Sequence, residues 1–443
     1  MAREWRDATL DQLGRIITGK TPTSRGEGYF GGDIPFVTPT DFDGRRLIDS
    51  TGRYLTEEGA LAAGKSRIPA GAVMVSCIGS DMGKAAIAGQ SCVTNQQINS
   101  LVVESGDDPM FVYYNLSTRK AEIRAAAGGS AQPILNKSSF GRMEIRLPPR
   151  DEQSAIAHVL GMLDDKIELN RRMNETLEAM ARALFKSWFV NFDPVRAKVE
   201  GRDPGLPKHI ADLFPDSFED SALGEIPRGW KVGMLQSVLS ELEVGGRPKG
   251  GVSSYTEGVP SIGAESIIGL GRFEYSKTKY IPRSFFDSMK KGHIKNRDVL
   301  LYKDGGRPGE YEPHLTLVGN GFPFSICAIN EHVYRLRAES ALGQNYLFFW
   351  LSSDLVMDEM RIKGTGVAIP GLNSTQVKSL ITLVPSLRVT GAFDAIVDPI
   401  IARILSGCSE SRTLANLRDT LLPNLISGEL SAAHPPRAAE DVA

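Results

Sequence analysis

The sequence predicts an α+β fold: two mixed α/β domains in pseudo-two-fold repeat, separated by two long helices that form an antiparallel coiled coil. Three observations predict it. A repeat runs through the 443 residues at an offset of 225–237. Each copy is built of short apolar runs bounded by Gly, Pro and Asn, the pattern of strands and turns. Each copy ends in a stretch whose apolar residues step by four and three, the spacing of a packed helix pair.

The repeat is read residue by residue. Trp5, Leu10 and Leu13 recur as Trp230, Leu235 and Val238, and IPFVTPTDFDG (34–44) recurs as VPSIGAESIIG (259–269). Asn95 and Leu101 answer Asn330 and Leu336, and Leu135-Asn136 answers Leu372-Asn373. A repeat this long means two related domains rather than a solenoid. Residues 1–150 form the first domain. In it, AVMVSCIG (72–79) and QINSLVV (97–103) read as strands, and 110–127 reads as one helix ending at Gly128-Gly129. Residues 151–192 form the first spacer helix, with seam residues Ile156, Leu160, Leu163, Ile167, Asn170, Asn174, Leu177, Ala181, Leu184 and Trp188. The prolines of 193–228 read as a linker. The second domain covers 229–386, with DVLLY (298–302) as a strand and 345–362 as a helix. The second spacer helix covers 387–430, with seam residues Phe393, Val397, Ile400, Ile404, Gly407, Ser411, Leu414, Arg418, Leu421 and Leu425. Both seams turn polar or small at the same two steps, which predicts a register-fixing layer where the helices meet. The alternative is two separate amphipathic helices, each on its own domain. The tail 431–443 is small and polar, and is expected to be disordered.

Composition narrows the function. At 41% hydrophobic and 23% charged the chain is ordinary, and it has no apolar run near the membrane-spanning length. The first residues lack the apolar core of a secretory signal. Four scattered cysteines and six dispersed histidines form no metal-ligand spacing and suit a reduced, cytoplasmic protein. Net charge is −2, but residues 277–307 hold nine Lys/Arg against three Asp, a local basic excess that fits either a solvated surface or a nucleic-acid contact.

Catalytic patterns fail on context. Gly14-Arg-Ile-Ile-Thr-Gly19-Lys20-Thr21 has the phosphate-loop spacing, but Pro22 follows at once and no helix can start there. Asn191-Phe-Asp-Pro194 approaches an adenine-methyltransferase motif but lacks its second proline. Asp164-Asp165-Lys166 lies on the seam helix and reads as surface charge rather than a nuclease site. No catalytic or metal-binding residue is assigned.

The segments GRIITGKTPTS (14–24), IPFVTPTDFDG (34–44) and GSDMGKAAIAGQSCVTNQQINSL (79–101) resemble specificity subunits of type I restriction-modification systems. So do 147–192, LGEIPRGWKV (223–232) and LRDTLLPNLISGEL (417–430). One departure is VPSLRVTGAFD (384–394), which lacks the Glu-Gln of PPRDEQSAI in the first copy. The resemblance implies two target recognition domains, each reading one half of a split, asymmetric double-stranded DNA target. It implies helices on the order of 60 Å long between them, and half-sites about a turn of duplex apart. It also implies two modification subunits that methylate adenine N6 and restriction subunits that translocate and cut. S-adenosylmethionine, ATP and Mg would be bound by those partners and none by this chain.

Candidate DNA contacts in the first domain are Lys20, Thr21, Thr38, Thr40, Asp41, Lys84, Gln96, Gln97, Ser130 and Gln132. In the second they are Arg247, Lys249, Glu265, Lys303, Arg307, Lys363 and Thr365. Arg and Gln can read base edges, while Lys and Thr more often hold phosphate. Two other functions fit the same residues: a specificity subunit of another methyltransferase/nuclease class, and a stand-alone DNA-binding scaffold or repressor.

Overall fold

In the computed structural model, the described residues are 5–23, 28–127, 133–306, 309–339, 342–365 and 370–432. The chain divides into two units. One comprises residues 1–168 together with 413–443, and the other comprises 169–412.

The strands of the first unit are β1 (Arg6–Thr9), β2 (Gly14–Thr18), β3 (Phe30–Val37), β4 (Leu47–Ile48), β5 (Tyr54–Leu55), β6 (Arg67–Ile68), β7 (Val73–Ser76), β8 (Ala85–Ala88), β9 (Cys92–Thr94), β10 (Ile98–Val103) and β11 (Glu144–Leu147). They form a five-stranded sheet in the order β2-β10-β7-β8-β4, a four-stranded sheet in the order β5-β3-β9-β6, and the pair β1-β11. β7 is wholly buried: Val73, Met74 and Val75 are apolar, and Ser76 hydrogen-bonds the Asp81 carbonyl. The segment read as one helix over 110–127 is two, Pro109–Ser117 and Lys120–Ala125. The break falls where Ser117 and Thr118 turn their hydroxyls back onto the carbonyls of Tyr114 and Asn115.

The second unit contains β12 (Phe218–Ser221), β13 (Gly224–Pro227), β14 (Lys231–Met234), β15 (Leu239–Val244), β16 (Val259–Ile262), β17 (Ile267–Gly269), β18 (Arg272–Phe273), β19 (Lys279–Ile281), β20 (Val299–Tyr302), β21 (Leu315–Leu317), β22 (Ala328–Ile329), β23 (Val333–Ala338) and β24 (Ile381–Val384). The repeat is visible in the pairing. β14-β24 repeats β1-β11, β15-β23-β20-β21 repeats β2-β10-β7-β8, and β19-β16-β22 repeats β5-β3-β9. The helix read over 345–362 also splits, into Gln344–Leu351 and Asp354–Lys363, beside Ser352 and Ser353, whose hydroxyls bond backward to the Phe348 and Trp350 carbonyls. Residues 193–228, expected to be a linker, instead carry the helices Asp193–Val199 and Lys208–Ala211 and the β12–β13 hairpin. Val195, Phe214 and Ile226 lie in the same hydrophobic cluster as Trp188 and Trp230. The prolines masked this, because the short apolar runs between them meet their neighbours only in the fold.

The two long helices are Arg150–Phe189 and Leu387–Ser427. Within the first unit, Ile156 and Leu160 share a core with Leu425, and Arg418 donates to Asp164 at 2.7 Å. Within the second, Phe185 packs on Phe393, Asn174 donates to Cys408 Sγ at 3.2 Å, and Asn170 donates to Ser411 Oγ at 3.3 Å. Rising numbers on one helix meet falling numbers on the other, so the pair is antiparallel. The predicted polar layer meets itself: Asn170 and Asn174 face Gly407 and Ser411. The expected tail falls mostly at 433–443, outside the described residues.

Candidate nucleic-acid interface

Parallel pairing makes the site. β3 runs parallel to β9, with Val37 opposite Thr94. The loops that follow, Thr38–Asp41 and Asn95–Gln97, therefore leave at the same end. A third loop joins them after β2, where Gly19 donates to the Ile98 carbonyl and Lys20 N–H donates to the Thr94 carbonyl at 2.8 Å. Only glycine fits at 19, because a Cβ there would lie 2.0 Å from the Asn95 carbonyl oxygen. Side chains then tie the loops together. Asn95 Oδ1 accepts the Gln97 N–H, and Asn95 Nδ2 donates to Gln97 Oε1 at 3.0 Å. Thr21 Oγ1 donates to Gln96 Oε1 at 2.6 Å. Asp41 Oδ2 accepts the Thr38 N–H at 2.7 Å and Thr38 Oγ1 at 2.8 Å, and Thr40 Oγ1 lies 2.8 Å from Thr38 Oγ1. Lys84 reaches the Phe42 carbonyl just beyond that loop, and pairs with Asp81. The first-domain candidates thus gather at one strand end, except Ser130 and Gln132, which lie outside the described residues.

The second unit repeats the construction with other chemistry. β16 runs parallel to β22, with Ile262 opposite Ile329. A Cβ at Gly245 would lie 1.7 Å from the Ile329 carbonyl oxygen. Asn330 N–H donates to the Ile262 carbonyl, and its Oδ1 accepts from His332 N–H at 2.9 Å, matching the turn at Asn95. Arg247 Nε pairs with Glu331 Oε1 at 3.0 Å. His332 Nδ1 lies 2.6 Å from Asp304, and Lys303 donates to the Glu331 carbonyl. Glu265 pairs with Lys279 at 2.7 Å, and that ammonium helps hold its carboxyl below the usual range against the opposing effect of burial. Lys249 is exposed two residues beyond Arg247. Lys363 and Thr365 sit elsewhere, at the end of the helix Asp354–Lys363. Lys363 is bound to Ser379 and Glu359, and Thr365 Oγ1 donates to the Ile362 carbonyl. Arg307 lies outside the described residues. The basic stretch 277–307 is not a bare cationic strip: Lys279, Arg283, Lys295, Arg297 and Lys303 each have an acidic partner.

Sequence reasoning passed over Asn95, Asn330, Glu331, His332 and Asp304. The signal was present for the two asparagines, since the same residue recurs at the same point of the repeat. It was absent for Asp304, whose partner His332 is distant in the chain.

The catalytic look-alikes have structural uses. In the phosphate-loop pattern, Gly14–Thr18 is itself a strand. In Asn191-Phe-Asp-Pro194, Phe192 is buried against Trp230. Asp164 accepts from the Tyr114 hydroxyl and Arg418, and Asp165 pairs with Arg46. Burial pushes the Cys77 thiol up to about 11 and those of Cys92 and Cys327 up to about 12, far from a nucleophile's range. Among the described residues, no group of three His, Cys, Asp or Glu is placed to hold a metal ion, and no helix is long and apolar enough to cross a membrane.

Residues 2–179 match the family model described as the type I restriction modification DNA specificity domain. The chain is 26% identical over 97% of its length, and 94% of the other chain, to the type I restriction enzyme MjaIX specificity subunit of Methanocaldococcus jannaschii. It is 25% identical over 71% of its length, and 75% of the other, to the HindI specificity subunit of Haemophilus influenzae. A crystal structure of the type I restriction-modification S subunit from M. genitalium shares the fold, with TM-score 0.57, 16% identity and 96% of each chain covered. Together the domain match and the relatives indicate a type I restriction-modification DNA specificity subunit.

Proposed function

We propose that this chain reads a two-part, asymmetric double-stranded DNA target and directs two modification subunits to methylate adenine N6 there. Restriction subunits join the same complex, in the cytoplasm. The chain itself carries no catalytic centre, and S-adenosylmethionine, ATP and Mg are held by its partners. The observation that carries this reading is the twice-built loop cluster, with the same glycine approach and the same asparagine turn at 19/95 and 245/330 but different exposed side chains around them. A constant frame with variable tips is what two readers of different half-sites require. Lys20 supplies a phosphate contact in the first reader and Lys249 in the second, both exposed.

The test is methylation-sensitive sequencing of DNA from cells carrying the assembled complex. N6-methyladenine in a split motif with unlike halves is expected. A palindromic motif, or none, would reject the reading. The purified chain alone is expected to transfer no methyl group and hydrolyse no ATP, and either activity would reject the non-catalytic assignment.

A further inference from the structure

The two readers share one contact whose chemistry differs between them. In the repeat, Thr21 corresponds to Arg247 and Gln96 to Glu331. Each pair joins the loop after β2 or β15 to the loop after β9 or β22, and each pair touches: Thr21 with Gln96 at 2.6 Å, Arg247 with Glu331 at 3.0 Å. A contact kept while both residues change marks a position held by geometry and varied by chemistry.

Arg247 Nε lies 3.0 Å from Glu331 Oε1, an ion pair that meets the guanidinium at Nε. A guanidinium held there has two terminal nitrogens left to donate, and two such N–H donors match guanine O6 and N7. Glu331 is the sheltered partner and Arg247 the projecting one, with side chains 28% and 62% exposed. His332 Nε2 lies near the same oxygen, 3.6 Å from Oε1. In the first reader, Thr21 occupies one lone pair of Gln96 Oε1 and leaves the Gln96 amide able to donate through Nε2 and accept through Oε1. That is the pattern complementary to adenine N7 and N6.

We infer that positions 21/96 and 247/331 are the equivalent base-reading pairs of the two domains: Arg247, positioned by Glu331, reads a guanine in one half-site, and Gln96, positioned by Thr21, reads an adenine in the other. This rests on the DNA-reading function proposed above and names the bases for it.

The experiment uses the assembled modification complex, with its methylated motif sequenced and its binding measured on duplexes varied one base at a time. R247A should relax one guanine position of one half-site, with discrimination there falling roughly tenfold to a hundredfold. R247K keeps the charge but loses the two-pronged donor edge, so it should relax the same position while leaving the salt dependence of binding unchanged. E331Q should weaken the same discrimination less than R247A does. Exchanging the pair in the first reader, T21R with Q96E, should move one adenine of the other half-site toward guanine. If R247A weakened all sequences alike and R247K restored them, Arg247 would be a phosphate contact and the inference would fall, with the DNA-reading function intact. An unchanged motif in both R247A and T21R/Q96E would reduce the pairs to surface contacts and also overturn it. A wild-type complex without sequence preference would remove the function and the inference together.

Discussion

Two glycines carry more of the site than any charged residue. Gly19 and Gly245 pass so close to neighbouring backbone carbonyls, those of Asn95 and Thr94 in the first unit and of Ile329 in the second, that a methyl group cannot be seated without moving the main chain. Gly19→Ala and Gly245→Ala should each destabilise their own unit by about 1–3 kcal/mol, the usual cost of forcing atoms into a packed site. Gly246→Ala, with no atom within 4 Å of its Cβ, should be nearly neutral. Urea melts of the three variants check this, and equal stabilities would refute the close-approach argument. Asp394 makes a pH prediction. It lies against Gly343, at the start of the helix Gln344–Leu351, with Oδ1 buried and unpartnered among the described residues. Burial first and the Asp398 charge second push its carboxyl from 3.8 up to about 6. Between those values the unfolded chain has released the proton and the folded one keeps it. Stability should therefore fall as pH rises from about 4 to 6 and then level off. Asp394→Asn should match the parent near pH 4 and exceed it at pH 7 by up to about 3 kcal/mol. A variant less stable than the parent at pH 7 would contradict the burial account. At this scale the sequence spoke where a residue type recurred, as at Asn95 and Asn330. It was silent where a partner came from elsewhere, as for Lys363, whose ammonium turns inward to Ser379.

Among the elements, the long helices were the most legible, because forty residues of regular spacing outweigh local accidents. Their polar layer shows why the interruptions coincide. Asn170 is fully buried, and its amide donates to Glu410 and Ser411 across the seam, while Gly407 leaves room for Asn174. Such a layer disfavours a shift of one heptad, which would set Asn170 against Ile400 and Ile404 in one direction and against Leu414 and Arg418 in the other. Arg418, odd at a seam position, is explained by Asp164 on the facing turn. The register is directly testable. Asn174 Nδ2 lies 3.2 Å from Cys408 Sγ, so the two positions face each other across the seam, and Asn174→Cys should cross-link to Cys408 under mild oxidation. Mass spectrometry of the digest would show it, and a shifted register would leave both thiols free. The short helices were read less well for the reason given by Ser117, Thr118, Ser352 and Ser353. Periodicity there continues through residues whose hydroxyls compete for the backbone, and a pattern of apolar spacing cannot register that competition.

For the whole chain, the duplication makes a stronger claim than any one site, because it says that the readers are interchangeable parts. Each tip is built wholly within its own unit: 19–21, 38–41 and 95–97 in the first, 245–247, 263–265 and 330–332 in the second. The first unit's core does reach the far end of the chain, through Leu421 and Leu425 packed with Leu10 and Leu13. A graft should therefore keep β1, β11 and both helices. Replacing residues 14–143 with the matching segment of another specificity subunit leaves those contacts and the entire second tip in place. One half of the methylated motif should change to that of the donor. The other half, including the guanine assigned to Arg247, should persist unaltered in the sequencing readout. The reciprocal graft of 239–380 should change the complementary half, which separates a poorly folded graft from a wrong idea. If either exchange altered both halves, the tips would be reading DNA jointly, and the repeat would describe ancestry and fold but not function.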